Sequence, residues 1–211
     1  MRELTREALA SNWDQFHPRA ALRCIVAMAV ALAAGFVTGH PVQGLMATAG
    51  AFSVGFGSFQ ELQGSRKTPM LWAAIGICLS SWVGTLAGGS PVATVAVTGL
   101  WAVMYAAVSR VEPGASWVAI QCVIWLIIST GFPATGVQAL TRGTMALAGG
   151  LLQTSFVLAS WHWEGAATPE PAAHSPVDKP LFETLKNVLR APSDDRLYLL
   201  QAAVTMIAAA A

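Results

Sequence analysis

The chain has 211 residues, 55% of them hydrophobic and 11% charged, with a formal net charge of +1 and a mean hydropathy of +0.55. Soluble domains carry about 25% charged residues, so the composition points away from a water-soluble globule and towards a membrane protein whose first partner is the lipid bilayer. The near-neutral balance offers no dense basic face for phosphates, so nucleic acid is not an expected partner. The cysteines Cys24, Cys78 and Cys122 show no CxxC or His/Cys ligand spacing, which argues against a zinc site or a disulfide framework; no metal and no cofactor is expected.

The first residues, MRELTREALASNWDQFHPRAALR, lack the order of a signal peptide and read as a cytoplasmic amphipathic lead-in over 1–19. Charges are then absent from Cys24 to Gln60, from Thr68 to Ser109, from Pro113 to Thr141 and from Gly143 to Trp163. Each gap is at least as long as the roughly 20 residues a helix needs to cross about 30 Å of hydrocarbon. Breaks at Gly39-His40-Pro41, at Gly88-Gly89-Ser90-Pro91 and at Gly131-Phe132-Pro133 divide the gaps, since Pro removes a donor and Gly accepts a turn. The reading is an all-α membrane protein whose domain over 20–163 has six transmembrane helices, near 20–38, 42–60, 69–87, 92–109, 115–131 and 137–161, forming one repeat unit. In the second of these, GHPVQGLMATAGAFSVGFG, the glycines would each weaken a helix in water by up to about 1 kcal/mol. They suit a membrane, where small residues let backbones approach. Gly35-x-x-x-Gly39 and the Ala47, Ala51, Gly55 series are the expected contact faces.

A Pro/Ala-rich cytoplasmic linker with a short amphipathic helix is expected over 164–195, because Leu181, Phe182, Leu185, Val188 and Leu189 fall at helical spacing. The start of a seventh, truncated span is expected over 196–211. Leu22, Val26 and Met28 recur in spacing as Leu200, Val204 and Met206, a weak echo that fits a repeated half-unit. Either a missing second half or a homo-oligomer would complete such a unit. Eleven of the twelve Lys and Arg residues fall on one side of the six spans, which the positive-inside rule makes the cytoplasm. The expected location is therefore the bacterial-type inner membrane, multi-pass, with the N-terminus cytoplasmic.

Arg142, in the first turns of the sixth span, is the basic residue out of place. It reads either as a snorkelling or carbonyl-paired arginine, or as a fork for a carboxylate substrate. Gln43, Thr48, Gln121, Thr135, Gln138 and Gln153 put neutral polar groups at membrane depth or its edge, where each must face another helix, water or substrate. Gln121 and Gln153 lie deepest. His40, in an outer turn, is a candidate proton-coupling group or simply a solvated loop histidine. Trp82, Trp101 and Trp125 read as packing residues before ligand stackers, and Trp117, Trp161 and Trp163 as an interfacial belt. No catalytic constellation is present in the spans, neither a nucleophile with its base nor paired carboxylates nor HExxH, so an enzyme is not expected.

The basic Arg19-Ala20-Ala21-Leu22-Arg23 start of the first span, the His40-Pro41 turn, Thr48 in a small-residue second helix, Arg66-Lys67 in an inner loop and Gly84-Thr85-Leu86-Ala87-Gly88 together resemble the fusaric-acid-resistance-like (FUSC) transporters, the superfamily of the aromatic acid exporters. Members often carry an aromatic pair after the His-Pro-like turn, where this chain has Val42-Gln43-Gly44. The resemblance implies an efflux transporter for small organic anions, aromatic carboxylates among them, and at residue level it touches Thr48 and Arg66 alone; the substrate-binding candidates, read from the residues themselves, are Arg142, Gln121, Gln153, Thr48 and Gln43. A channel-like anion permease and a non-transporting membrane scaffold are the alternatives.

Overall fold

The computed structural model describes residues 18–163. The expected linker helix and seventh span, over 164–211, lie outside the described residues, as does most of the lead-in. Six α-helices make up the described chain: α1 Pro18–Val37, α2 Pro41–Gly55, α3 Lys67–Ala87, α4 Pro91–Val108, α5 Pro113–Thr130 and α6 Gly136–Trp163, with a short 3-10 helix, Phe56–Phe59, following α2. No strand occurs among the described residues.

Helix ends follow local chemistry. Proline opens α2, α4 and α5 at the first turn, where its missing N–H is no loss. α1 closes in a Schellman motif: the His40 N–H donates to the Gly35 carbonyl at 2.8 Å and the Gly39 N–H to the Phe36 carbonyl at 3.2 Å, with Gly39 at φ +75° as the left-handed residue this cap requires. Gly39 is therefore a turn residue, and not the second half of a packing pair. Gly35 does pack, since a Cβ on it would reach the Gly44 backbone of α2. The second predicted span is interrupted. α2 ends at Gly55, where the Ser58 hydroxyl donates to the Gly55 carbonyl at 2.9 Å, and the chain continues as the 3-10 helix, in which a Cβ on Gly57 would meet Met70 and Trp117.

Among the described residues, four helices are long and apolar enough to cross a membrane: Lys67–Ala87, Pro91–Val108, Pro113–Thr130 and Gly136–His162. The apolar part of α1, Ala21–Val37, is shorter. α2, with 15 residues, reaches about 22 Å, and the 3-10 extension adds about 8 Å.

α3 and α6 pack on each other at the centre. α2 lies along α6 with α1 outside it, and α5 lies along α3 with α4 outside it. The core is built from Val54, Met70, Ala73, Ala74, Ile77, Trp125, Ala146 and Val157. The outward faces are apolar, including Ile25, Val30, Phe52, Ile75, Leu79, Leu100, Ile124, Ile127 and Leu151, while Ser80, Ser81, Thr85, Thr98, Gln153 and Thr154 are buried. Small and polar inside with large apolar side chains outside is the distribution that lipid imposes, because lipid supplies no hydrophobic drive between helices and cannot satisfy a hydroxyl or an amide.

At the end of the bundle that carries Arg66, Lys67 and Arg110, the loops are locked together. Leu62 and Ser65 exchange backbone hydrogen bonds at 3.0 Å across a tight turn whose central residues Gln63 and Gly64 have φ of 53° and 70°, as a type I′ turn requires. Glu61 pairs with Arg66 at 3.0 Å. The Gln63 N–H donates to the Glu112 carboxylate at 3.1 Å, tying the α2–α3 loop to the start of α5.

Candidate functional site

At 100° per residue, Arg142, Gly149, Gln153 and Ser160 fall within about 20° of one line along α6. This stripe runs along the seam where α6 meets α1 and α2, and its character changes with depth.

At the outer end the Arg142 guanidinium donates to the Phe132 carbonyl and its carbon sits 5.9 Å from the Phe132 ring centroid. The arginine thus clasps the α5–α6 turn through a carbonyl freed where α5 ends, with a cation–π contact beside it. One turn in, α6 meets α2 backbone to backbone. A Cβ on Gly149 would overlap the Ala47 carbonyl, and one on Gly50 would overlap that of Ala146.

Deeper still, Gln153 is completely buried. Its Nε2 donates to Cys24 Sγ of α1 at 3.4 Å, and its Oε1 has no partner. α2 meets this point with bare backbone, because a Cβ on Gly55 would collide with Cys24 Sγ and lie 3.5 Å from the Gln153 amide. At the inner end Arg23 of α1 reaches across to α6, Nη1 donating to Ser160 Oγ at 2.8 Å, while that hydroxyl donates to the Val157 carbonyl at 2.7 Å. None of the six helices contains Asp or Glu, and the α6 stripe has Arg142 at one end and meets Arg23 at the other.

The other sequence candidates are scattered. Thr48 is buried one turn outward of Cys24 along the α1–α2 contact. Its hydroxyl lies 2.8 Å from the Gly44 carbonyl of its own helix and 3.3 Å from the Met28 carbonyl of α1. Gln43 is half-buried in the first turn of α2, and Gln121 is half-buried on α5, which packs chiefly on α3 and α4 and does not bring it to the seam. His40 is exposed and bonded through Nδ1 to the Thr38 carbonyl at 2.7 Å. Thr135 and Gln138 are exposed at the start of α6. Arg23, Cys24 and Ser160 were not candidates in the sequence. The spacing 142, 149, 153, 160, one face of one helix, would have pointed to Ser160; Arg23 and Cys24 lie on another helix and carry no such signal.

On the other side of the molecule polar groups answer one another. Trp125 Nε1 donates to Ser53 Oγ at 2.9 Å, Trp101 Nε1 to Ser80 Oγ at 2.9 Å, and Ser129 to Ser81 at 3.2 Å. The deep tryptophans Trp101 and Trp125 therefore act as interhelical stitches, and Trp82 is largely exposed on the apolar exterior. Thr85 Oγ1 is the second buried polar atom without a partner among the described residues. Also among the described residues, no group of His, Cys, Asp and Glu is placed to hold a metal ion.

The chain is similar to the protein named "Uncharacterized membrane protein YvaC" from Bacillus subtilis (strain 168), at 29% identity over 133 residues, which cover 61% of this chain and 20% of that protein. The chain thus matches about a fifth of its relative's length. No protein-family model matches the chain, that of the fusaric-acid-resistance-like transporters included, and no solved structure matches it. The relative and the apolar helices agree on a multi-pass helical membrane protein.

Proposed function

We propose that this chain is part of an inner-membrane efflux transporter for small organic anions, aromatic carboxylates among them. Six crossings with a cytoplasmic N-terminus accompany this reading, α2 completing its crossing through the 3-10 extension. The observation that carries it is the α6 stripe. An arginine stands at each end of one seam, a fully buried amide with an unpartnered oxygen lies between them, and the six helices around it hold no carboxylate. Intramembrane arginines and amides are expensive, and they mark substrate pathways when they line one face. An Arg fork is suited to carboxylate.

The test is export of radiolabelled benzoate from cells producing the protein. Production should lower retained benzoate, and Arg142→Gln should reduce export about tenfold at unchanged membrane abundance. Full export by that variant, or none by the parent, would defeat the reading.

One observation favours a non-transporting scaffold instead. The α2–α6 contact at Gly149–Ala47 and Gly50–Ala146 is backbone on backbone, which closes the seam between its polar ends. A scaffold would leave benzoate retention unchanged on production. In a transporter this contact must part or slide during the cycle.

A further inference from the structure

The outward faces of the bundle are not alike. α3 presents Leu71, Ile75 and Leu79, and α5 presents Ile120, Ile124 and Ile127, the large apolar side chains that lipid favours. α6 sits at the centre, against α1, α2 and α3, yet one of its faces is open, and there Thr144, Ala148, Leu151 and Ser155 are exposed. At 100° per residue these four fall within about 60° of one another, on the side of α6 away from the Arg142 stripe. Among the described residues, Thr144 and Ser155 are the exposed hydroxyl residues inside the helices. α6 is also the least apolar of the four long helices.

Both hydroxyls have committed their protons. Thr144 donates to the Leu140 carbonyl and Ser155 to the Leu151 carbonyl, each at 2.9 Å. Each oxygen keeps acceptor capacity, and a lipid tail has no donor to offer it. A face of small side chains with spare acceptors suits a second helix, because small residues let backbones approach and a donor on the partner can be answered.

The sequence contains a matching segment. The described chain stops at Trp163, at the end of α6 that lies on the Arg66, Lys67 and Arg110 side of the bundle. After 164–196, residues 197–211 read LYLLQAAVTMIAAAA, with no charge and six alanines. Gln201 and Thr205, four apart, fall on one face at helical spacing. They bring hydrogen-bond donors that hydrocarbon cannot satisfy.

We propose that residues 197–211 pack as a helix antiparallel to α6 and cover its open face. Charges spread over 164–196, among them Lys179, Glu183, Lys186, Asp194 and Asp195, make a crossing by that stretch costly, so the segment enters from the side on which α6 ends. With Leu197 level with Trp163, Thr205 and Ser155 both lie about 12 Å further along. Thr205, with Gln201 one turn before it, supplies donors to the Ser155 oxygen. Beyond them Ala208 and Ala211 come opposite Leu151 and Ala148, small side chains against the one large one. The pairing is independent of what the protein transports, and it ties 164–196 to the bundle at both ends.

The test is a disulfide in the full-length chain in native membranes, with Cys24→Ser, Cys78→Ser and Cys122→Ser. Ser155→Cys combined with Thr205→Cys and oxidised with copper phenanthroline should give an intrachain bond in most of the protein, read as an unreduced monomer whose tryptic peptides are joined. Leu79→Cys on the outward face of α3, combined with Thr205→Cys, should give severalfold less. Should the cysteine substitutions impair the protein, a benzoylphenylalanine photoprobe at 155 in the chain with its own cysteines gives the same comparison, and irradiation should join it to residues 197–211.

A disulfide-linked dimer from Ser155→Cys alone, or a photoproduct with another molecule of the protein, would put a second copy on this face and overturn the proposal. Equal bonding at Leu79→Cys, no bond at 155, or photoproducts with lipid alone would overturn it as well.

Discussion

The α2–α6 and α3–α5 seams solve the same problem, helix association without a hydrophobic drive, in different ways. α2 and α6 approach until Gly149 touches the Ala47 carbonyl and Gly50 that of Ala146, so van der Waals contact along bare backbone holds them. At the α3–α5 seam, Gly84 makes a similar approach to the Leu126 carbonyl, and Ser81–Ser129 is added to it, with Trp125–Ser53 and Trp101–Ser80 holding the neighbouring helices α2 and α4. Glycine contact sets how close two helices come; paired hydroxyls and indoles set which turn faces which. The seam without such stitches ends in the unmatched Gln153. Its polar ties run instead from α1 to the same face of α6, Arg23 to Ser160 and Gln153 to Cys24.

Four substitutions would break or sharpen this contrast. The largest effect is expected from Gly149→Ala, where even a methyl collides with backbone that cannot rotate away. A loss of about 3 kcal/mol should appear as a lowered Tm and loss of the monodisperse species in detergent, and an unchanged Tm would mean that the α2–α6 contact is loose. Next, Gln153→Leu removes a buried polar atom without a partner, so stability should rise by about 1–2 kcal/mol while export falls. A lower Tm would show that the amide is matched after all, and would return this seam to the stitched class.

Trp125→Phe strips one stitch and leaves the Ser53 hydroxyl behind. Hydrogen bonds between membrane helices average about 0.6 kcal/mol, so a loss of about 1 kcal/mol is expected from thermal unfolding, with export intact. The smallest effect belongs to the inner turn. Gln63 is a non-glycine residue at φ 53°, and Gln63→Asn should add about 0.5 kcal/mol, since Asn accepts the left-handed region more readily. It should leave both seams and export unaltered.

Much of this architecture was readable in advance. Apart from the end of α2, the charge-free runs and the proline breaks put the helices within a few residues of their observed bounds, because lipid leaves a backbone no alternative to the helix. The Ala47, Ala51 and Gly55 series was legible as a contact face for the same reason. Gly39 was less so: it was paired with Gly35 by spacing, yet it lies in a Schellman cap, since a GxxxG spacing near a helix end cannot tell packing from capping. The end of α2 at Gly55 was also missed, and the neighbours that Gly57 meets there, Met70 and Trp117, are distant in sequence.

The candidate site divides in the same way. Arg142 and Gln153 stood out as polar groups inside apolar runs, but Thr48, Gln43 and Gln121 stood out equally, and local sequence cannot say which of five polar residues share a seam. Arg23 looked like one more inner-side basic residue and Cys24 like a small apolar one.

By itself the sequence determined the medium, the helices and the polar residues that had to find partners, because hydropathy and backbone satisfaction act within one segment at a time. Only the tertiary structure decided which partners they found: that Arg142 turns back on Phe132, that Arg23 crosses to Ser160, and that Gln153 meets a thiol that answers half of its amide. Those outcomes depend on how closely glycine lets α2 approach α6, a distance between segments that no single segment encodes.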